Sequence, residues 1–378
     1  MKKKLFYLII SISVLLFCYN IWSLLDRKPP NVFSEGCSTE LEEFGTNSGQ
    51  GNIVGIQPKV SPIDFANETN FFNKLDAYLQ EAKQANYLME NTVVLFPEYI
   101  GTWLVVAGEK EGVYTANNIT EAAKLMISSN LAKFLLTYLD APQVPDRVKY
   151  SLFAMKSAEM ADIYHRTFSQ LSNKYQVTIV AGSILLPEPI IKNNTLKVSK
   201  GNLYNVSVIY KADGKPYSEI IKKVFLTSDE QPFTKSSKIN QLPVFDLPIG
   251  RTSVLICADS WYLENYQYLD SQKAEIALIP SFCSSDGKMT EKWKGYDGYP
   301  TPDDVEKSDI GTISEQNAWL KYSLSTRSKE TSIKQGMNVF LRGRLWEMGS
   351  DGNAIILKDK ETKLSASING ATIVCLWL

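Results

Sequence analysis

Ser253-Val254-Leu255-Ile256-Cys257-Ala258-Asp259 sets a short apolar run against a thiol and a carboxylate. A run of four to eight apolar and β-branched residues bounded by polar ones reads as a buried strand. The thiol then sits where that strand ends. Two other segments have the same form. Val93-Val94-Leu95-Phe96-Pro97-Glu98 ends in a carboxylate, and Ile220-Ile221-Lys222-Lys223-Val224-Phe225-Leu226 places two lysines in an apolar strand, with Asp229-Glu230 just beyond. In α/β proteins the carboxyl ends of strands are where ligands bind. Each of the three segments thus sets an unusual polar side chain against an apolar strand.

Working outward, strands and helices alternate. Ile53–Ile56 is a first short strand. Phe71–Ala85 has helical spacing, with Phe72, Leu75, Tyr78, Leu79 and Ala82 on one face. Tyr150–Tyr175 is a second helix and Val177–Val180 the strand after it. Leu203–Tyr210 and Glu219–Leu226 read as a strand pair around the turn Ala212-Asp213-Gly214, followed by strands at Ser253–Ile256, Glu275–Ile279, Val339–Leu341, Ala354–Leu357 and Thr372–Leu376. The pattern predicts an α/β class with layered packing over residues 52–378. Residues 104–149, of mixed helical character, and 284–318, rich in Asp, Gly, Lys and Pro, fit it poorly and read as insertions in loops framing one end of the sheet.

Composition narrows the chemistry. The chain has 378 residues, with 40 basic and 41 acidic side chains, so no bulk charge marks it as a nucleic-acid binder. It has a single histidine, His165. A metal site with several histidine ligands is excluded, and proton transfer away from His165 falls to Glu, Asp, Lys, Tyr or Cys. His165 lies beside Arg166, off the apolar face of its helix, and reads as a surface residue. Five cysteines are too few for a disulfide scaffold in a chain this long; one bridge among Cys37, Cys257, Cys283 and Cys375 stays open.

Residues 1–28 read as a cytoplasmic tip and a transmembrane signal-anchor. Lys2-Lys3-Lys4 precede an apolar run from Leu5 to Leu25, about the 20 residues a spanning helix needs. Cleaved signals have shorter cores and a small-residue cleavage site, and Cys18-Tyr19-Asn20-Ile21-Trp22 offers none. Phe17 before Cys18 argues against a lipidated cysteine. The positive-inside rule puts the N-terminus in the cytoplasm and the rest outside it, periplasmic or extracellular. The alternative is an ordinary cleaved signal. Residues 29–51, rich in Pro, Ser, Gly, Thr, Asn and Glu, read as a linker.

Taken in order, Phe96-Pro97-Glu98, Lys222-Lys223-Val224-Phe225-Leu226 and Leu255-Ile256-Cys257-Ala258-Asp259 resemble the carbon–nitrogen hydrolase (nitrilase) superfamily. Supporting segments run in the family's order: Ile56-Gln57, Val180-Ala181-Gly182-Ser183, Tyr204-Asn205, Asp213-Gly214, Ile279-Pro280-Ser281 and Asp351-Gly352. The resemblance covers roughly residues 52–358. It implies an αββα sandwich of the nitrilase type, forming four layers and often dimerising through a helix face. It implies Cys257 as nucleophile, Glu98 as general base and acid, and Lys223 as the oxyanion-stabilising lysine. Lys223 is preferred to Lys222 because the family's Lys-x-x-Leu fits Lys223 and Leu226. Glu230 resembles the second glutamate, with Asp229 as its fallback, and the backbone N–H of Ala258 would complete the oxyanion hole. Neither cofactor nor metal is implied, and no nucleic-acid partner.

Nitrile-cleaving members follow the cysteine with Trp-Glu, whereas Ala258-Asp259 is closer to the amidase branch. A small-molecule amide is therefore the expected substrate. An N-acyltransferase, in which a protein amine attacks the same thioester, is the first alternative, and an inactive tethered binding module the second. The segment Phe282-Cys283-Ser284-Ser285 departs most from the family, so pocket residues cannot be carried over there.

Overall fold

The computed structural model describes residues 2–28, 38–366 and 370–378. Two six-stranded sheets form the centre. In the first, the strands run in the order Thr39–Phe44, Ala371–Trp377, Asn52–Gln57, Thr92–Leu95, Thr178–Val180 and Ile209–Tyr210. In the second, the order is Val244–Leu247, Gly250–Val254, Ile276–Ser281, Gln335–Phe340, Ile355–Lys358 and Glu361–Leu364. The central pairs Asn52–Gln57/Thr92–Leu95 and Gly250–Val254/Ile276–Ser281 are parallel.

Alternation along the strands explains the layers. Ile53, Val93, Leu95 and Val180 of the first sheet share a core with Val254, Leu278, Met337 and Val339 of the second. Their neighbours Val54, Val94 and Ile179 point the other way, into a core with Leu75, Leu79, Tyr164 and Phe168. Successive strand residues face opposite sides, and a sheet covered on both faces needs both sets apolar. The helices Glu68–Gln84 and Arg147–Tyr175 cover the first sheet. On the second, Phe340 meets Trp319 of Glu315–Tyr322 edge to face at 5.0 Å. The order helix, sheet, sheet, helix is the expected αββα sandwich. At Gly55 a Cβ would lie 2.3 Å from Met337 Sδ and 2.6 Å from Val339, so glycine allows the sheets their closest approach there.

Several expectations are corrected. Thr39–Phe44 is not linker: it pairs in parallel with Ala371–Trp377 as an edge strand. Its sequence, Thr-Glu-Leu-Glu-Glu-Phe, has little apolar content because only one side is covered, and its backbone carries the pairing. Residues 29–37, the first part of that expected linker and including Cys37, lie outside the described residues. The 104–149 insertion is largely helical, with helices at Glu111–Tyr114, Ile119–Ser129 and Leu131–Asp140. Asn118 starts the second of these by accepting the Glu121 N–H at 2.9 Å. The expected strand over 219–226 shortens to Ile221–Lys222, paired with Leu203–Ser207, while Ile209–Tyr210 joins the first sheet. His165 is half-buried rather than simply superficial, with Nδ1 3.2 Å from the Tyr210 hydroxyl.

The turn after Thr178–Val180 carries the segment that holds Glu98. Gly182 has φ +63°, and a Cβ there would lie 2.1 Å from the Pro97 carbonyl oxygen. The next residue, Ser183, accepts the Tyr99 N–H at its hydroxyl (2.9 Å) and the Gly101 N–H at its carbonyl (2.9 Å). Gly182→Ala should therefore lower stability by about 1–3 kcal/mol, through the left-handed backbone and the collision with Pro97. Urea unfolding checks this; an unchanged midpoint would show that the turn relaxes freely.

Candidate active site

Three strand ends meet between the two sheets. Glu98 follows Thr92–Leu95, Lys223 follows Ile221–Lys222, and Cys257 follows Gly250–Val254. Glu98, Lys223 and Glu230 are 1%, 1% and 2% exposed, so each charge must be answered by protein groups. Lys223 Nζ donates to Glu98 Oε1 at 2.8 Å and to Glu230 Oε2 at 2.7 Å. Asn205 Nδ2 spans the same two carboxylates, at 2.9 Å from Glu98 Oε1 and 2.8 Å from Glu230 Oε1.

The carboxylates are not equivalent. Glu230 also accepts the Tyr99 hydroxyl at 2.6 Å, the Thr227 N–H at 3.0 Å and the Thr227 hydroxyl at 3.2 Å. Burial opposes its charge, but Lys223 and these donors hold its carboxyl below the usual range. Glu98 has fewer donors. Burial raises its pKa, Lys223 only partly opposes that, and the neighbouring Glu230 charge raises it further. Two carboxylates pushed apart in this way divide into a fixed anion and a group able to take and give a proton. Lys223 resists the burial that would neutralise it, because Glu230 and Glu98 hold it firmly protonated.

Cys257 takes φ +50° at the head of the turn Cys257–Trp261. A left-handed non-glycine residue is uncommon, and such strain gathers at functional sites. The thiol interacts with Glu98 and lies 3.7 Å from the Phe282 carbonyl oxygen. Burial and the Glu98 charge push its pKa well above that of a free thiol, despite Lys223. The resting sulfur is therefore a neutral thiol that needs a base. Asp259 locks the turn to the lysine segment by accepting the N–H groups of Phe225 at 2.7 Å, Val224 at 3.0 Å and Ile256 at 3.3 Å. Burial pushes its carboxyl up to about 7 against those donors.

The structure thus gathers Glu98, Lys223, Glu230 and Cys257, with Ala258 next to the thiol. Asp229 is exposed and stands outside the cluster. Lys222 leaves it too, placing its ammonium 4.1 Å from the centre of the Tyr204 ring. Cys283 is a buried free thiol that burial holds firmly protonated. Sequence reasoning did not assign roles to Asn205 and Tyr99. Asn205 stood beside Tyr204 in a supporting segment; Tyr99 follows Glu98 directly, and its φ of +62° is invisible in the sequence. The 284–318 insertion closes one side. Tyr299 packs edge-on to Phe225 at 5.2 Å, Phe225 stacks on Tyr262 at 3.6 Å, and Gln231 donates to the Gly298 carbonyl.

Strand ends, sandwich and polar cluster together define a site of the cysteine-hydrolase type in an αββα sandwich, built around a cysteine and a buried carboxylate–ammonium pair. The carbon–nitrogen hydrolase profile matches residues 52–295, and the chain belongs to that family as a carbon–nitrogen hydrolase. Over 136 residues the chain is 27% identical to the probable hydrolase YhcX of Bacillus subtilis (strain 168), a match covering 36% of this chain and 24% of that protein. The chain therefore spans about a quarter of that relative's length. A double mutant of the amidase from Nesterenkonia sp. AN1, in complex with acrylamide, aligns with a TM-score of 0.54 at 13% identity, covering 88% of this chain and 93% of that chain. Another mutant of the same amidase, showing Michael addition of acrylamide at its active-site cysteine, aligns with a TM-score of 0.53 at 12% identity, covering 85% of this chain and 91% of that chain. At these identities the likeness concerns the fold.

Proposed function

We propose that the protein is a membrane-anchored amidase that cleaves the C–N bond of a small non-peptide amide through a thioester on Cys257. The observation that carries this reading is the buried cluster itself: a neutral thiol beside a carboxylate of raised pKa, next to an ammonium fixed by a second carboxylate. The amidase neighbours and the Ala258-Asp259 pair after the cysteine support an amide over a nitrile.

Proton transfer falls to Glu98 and charge stabilisation to Lys223. Glu98 takes the Cys257 proton as sulfur attacks the carbonyl carbon. The oxyanion that forms faces Lys223 Nζ and the Ala258 N–H; a donor of this kind is worth about 2.7–4 kcal/mol in an acyl-transfer site. Glu98 returns the proton to the leaving amine as the C–N bond breaks, leaving an acyl thioester. Water, losing a proton to Glu98, then attacks that thioester and releases the acid and the thiol. Glu230 keeps Lys223 charged and in place throughout, and Tyr99 and Asn205 keep Glu230 in place.

The anchor reading rests on the helix Lys2–Leu24. Its segment Lys3–Leu24 is long and apolar enough to cross a membrane, with mean hydropathy 2.0, and its most apolar stretch is not buried in the domain. Lys2, Lys3 and Lys4 favour a cytoplasmic N-terminus and a hydrolase domain on the other side.

Three outcomes test the whole. Cys257→Ala should lower amide turnover at least about a thousand-fold while the fold persists. Acid quenching of the unaltered enzyme during turnover, followed by mass spectrometry, should find the acyl adduct on Cys257; an adduct on Cys283 would show that the wrong thiol was chosen. Turnover that depends strictly on an added amine acceptor would favour acyl transfer over hydrolysis. The pH profile should carry a second signature. Glu98 works as a base only when deprotonated, and burial raises its pKa, so kcat/KM should fall on the acid side through an apparent pKa above the ordinary carboxylate value. The Cys257 thiol is raised as well, so the rate should show no step near the free-thiol pKa of about 8.5; a thiolate step there would overturn the base role of Glu98. Finally, the mature protein should keep residues 5–25, and N-terminal sequencing that begins after Trp22 would refute the anchor.

A further inference from the structure

The helix Leu131–Asp140 carries an apolar face that the domain does not cover. Leu131, Leu135, Leu136 and Leu139 are 41%, 49%, 67% and 75% exposed, while Phe134 points into the core. Steps of four, one and three residues put the four leucines on one side of the helix. Val148, at the start of the following helix, adds a fifth exposed apolar side chain. Contiguous apolar surface of this kind marks a contact site.

This helix meets the end of the apolar N-terminal helix. The Tyr19 hydroxyl donates to the Ser128 carbonyl oxygen at 2.9 Å and accepts the Leu131 N–H at 3.1 Å. Eight residues on, the Arg27 guanidinium donates to the carbonyl oxygens of Gly108 (3.1 Å) and Ser129 (3.0 Å) and to Asn130 Oδ1 (3.2 Å). It also pairs with the buried Glu109 at 3.4 Å, which Lys156 holds from the other side at 3.1 Å. The Glu111 N–H donates to the Asp26 carbonyl oxygen at 2.7 Å, and the Lys110 ammonium lies 4.8 Å from the centre of the Trp22 ring. The apolar helix is thus clamped to the insertion helices, and its direction fixes how they face a bilayer.

Depth follows from the same contacts. The run Leu5–Leu25 reaches about 32 Å at about 1.5 Å per residue, against a hydrocarbon core of about 30 Å. Tyr19 is six residues short of its end, about 9 Å along the axis. A bilayer that covers the run therefore reaches the height of Leu131. Interfacial amphipathic helices settle about 5–10 Å into the boundary between headgroups and acyl chains, which is the same depth. We propose that Leu131–Asp140 lies in the lipid boundary beside the anchor, its leucine face among the acyl chains. The occupant of the face is lipid. The proposal rests on the anchor reading and adds a second membrane contact to it. Ala141 and Val144, just past this helix, pack with Tyr150, Leu203 and Phe233 in the cluster that Tyr99 joins. The lipid contact is thus one packing layer from the residue that holds Glu230.

The test uses the full-length chain with Cys18→Ser and Cys37→Ser, since Cys257, Cys283 and Cys375 are buried. Single variants Leu136→Cys, Leu15→Cys and Lys273→Cys carry an environment-sensitive fluorophore, in vesicles of phosphatidylethanolamine and phosphatidylglycerol containing doxyl-labelled lipid. At position 136 shallow doxyl groups should quench the label at least about twofold, whereas at the exposed Lys273 position they should leave it unchanged. At position 15 deep doxyl groups should quench. Position 136 behaving like 273 while 15 is quenched overturns the lipid contact alone; no quenching at 15 overturns the anchor with it. Shielding at 136 that grows with the protein-to-lipid ratio, without doxyl quenching, assigns the face to a second copy and also overturns the proposal. Quenching is read without turnover, so a failure of the amidase reading leaves it unaffected.

Discussion

Everything at the centre of this molecule depends on one buried ammonium held between two carboxylates. Lys223 is almost wholly shut off from water, and so are Glu98 and Glu230. In such a place the attraction must be close to complete to offset the loss of hydration. The cluster keeps one negative charge in excess, and the surroundings decide where it rests. Five protein donors fix it on Glu230, while burial and the Glu230 charge raise the pKa of Glu98. The asymmetry is produced by hydrogen-bond count and not by sequence position, since both residues are glutamates just beyond apolar segments. It also explains how a chain with a single histidine can run cysteine chemistry: a desolvated carboxylate holds a proton more tightly than a free one and can take and return it as an imidazole does elsewhere.

The sandwich supplies the dryness this requires. Val93 and Leu95 lead to Glu98, and Val254 to Ile256 lead to Cys257, from opposite sheets whose facing residues form one core. Small residues set the distances. Gly55 lets the sheets approach, and Gly182 lets the turn after Val180 lie against Pro97. Asp259 then ties the cysteine turn to the lysine segment through backbone N–H groups, so the nucleophile and the cation move as one body.

The reacting groups were legible in the sequence because each is a charged or nucleophilic residue where polarity is out of place, at the end of an apolar strand. Their order along the chain made the family legible as well. Asn205 and Tyr99 were not, since an amide and a phenol beside apolar residues look like ordinary packing until the fold brings them to Glu230. Nor was Thr39–Phe44, where three glutamates in six residues mask a strand held by backbone pairing and by the Trp377 indole donating to Glu43 at 2.6 Å. The helices of 111–140 were legible only as mixed helical character: Val113, Ala122, Met126 and Phe134 are buried, but the exposed Leu131, Leu135, Leu136 and Leu139 blur the amphipathic pattern of the last helix.

The place of Ala371–Trp377 in the first sheet has a consequence for how the chain acquires its shape. This strand lies between Thr39–Phe44 and Asn52–Gln57, so both of its neighbours are made more than 300 residues earlier. Until it is synthesised, Asn52–Gln57 has an open edge, and Thr39–Phe44 has no partner. Pairings this distant along the chain close late, because the loop entropy is paid before contacts return it. During synthesis the half-built sheet therefore presents an unpaired apolar strand, the form of exposure that invites association with other chains.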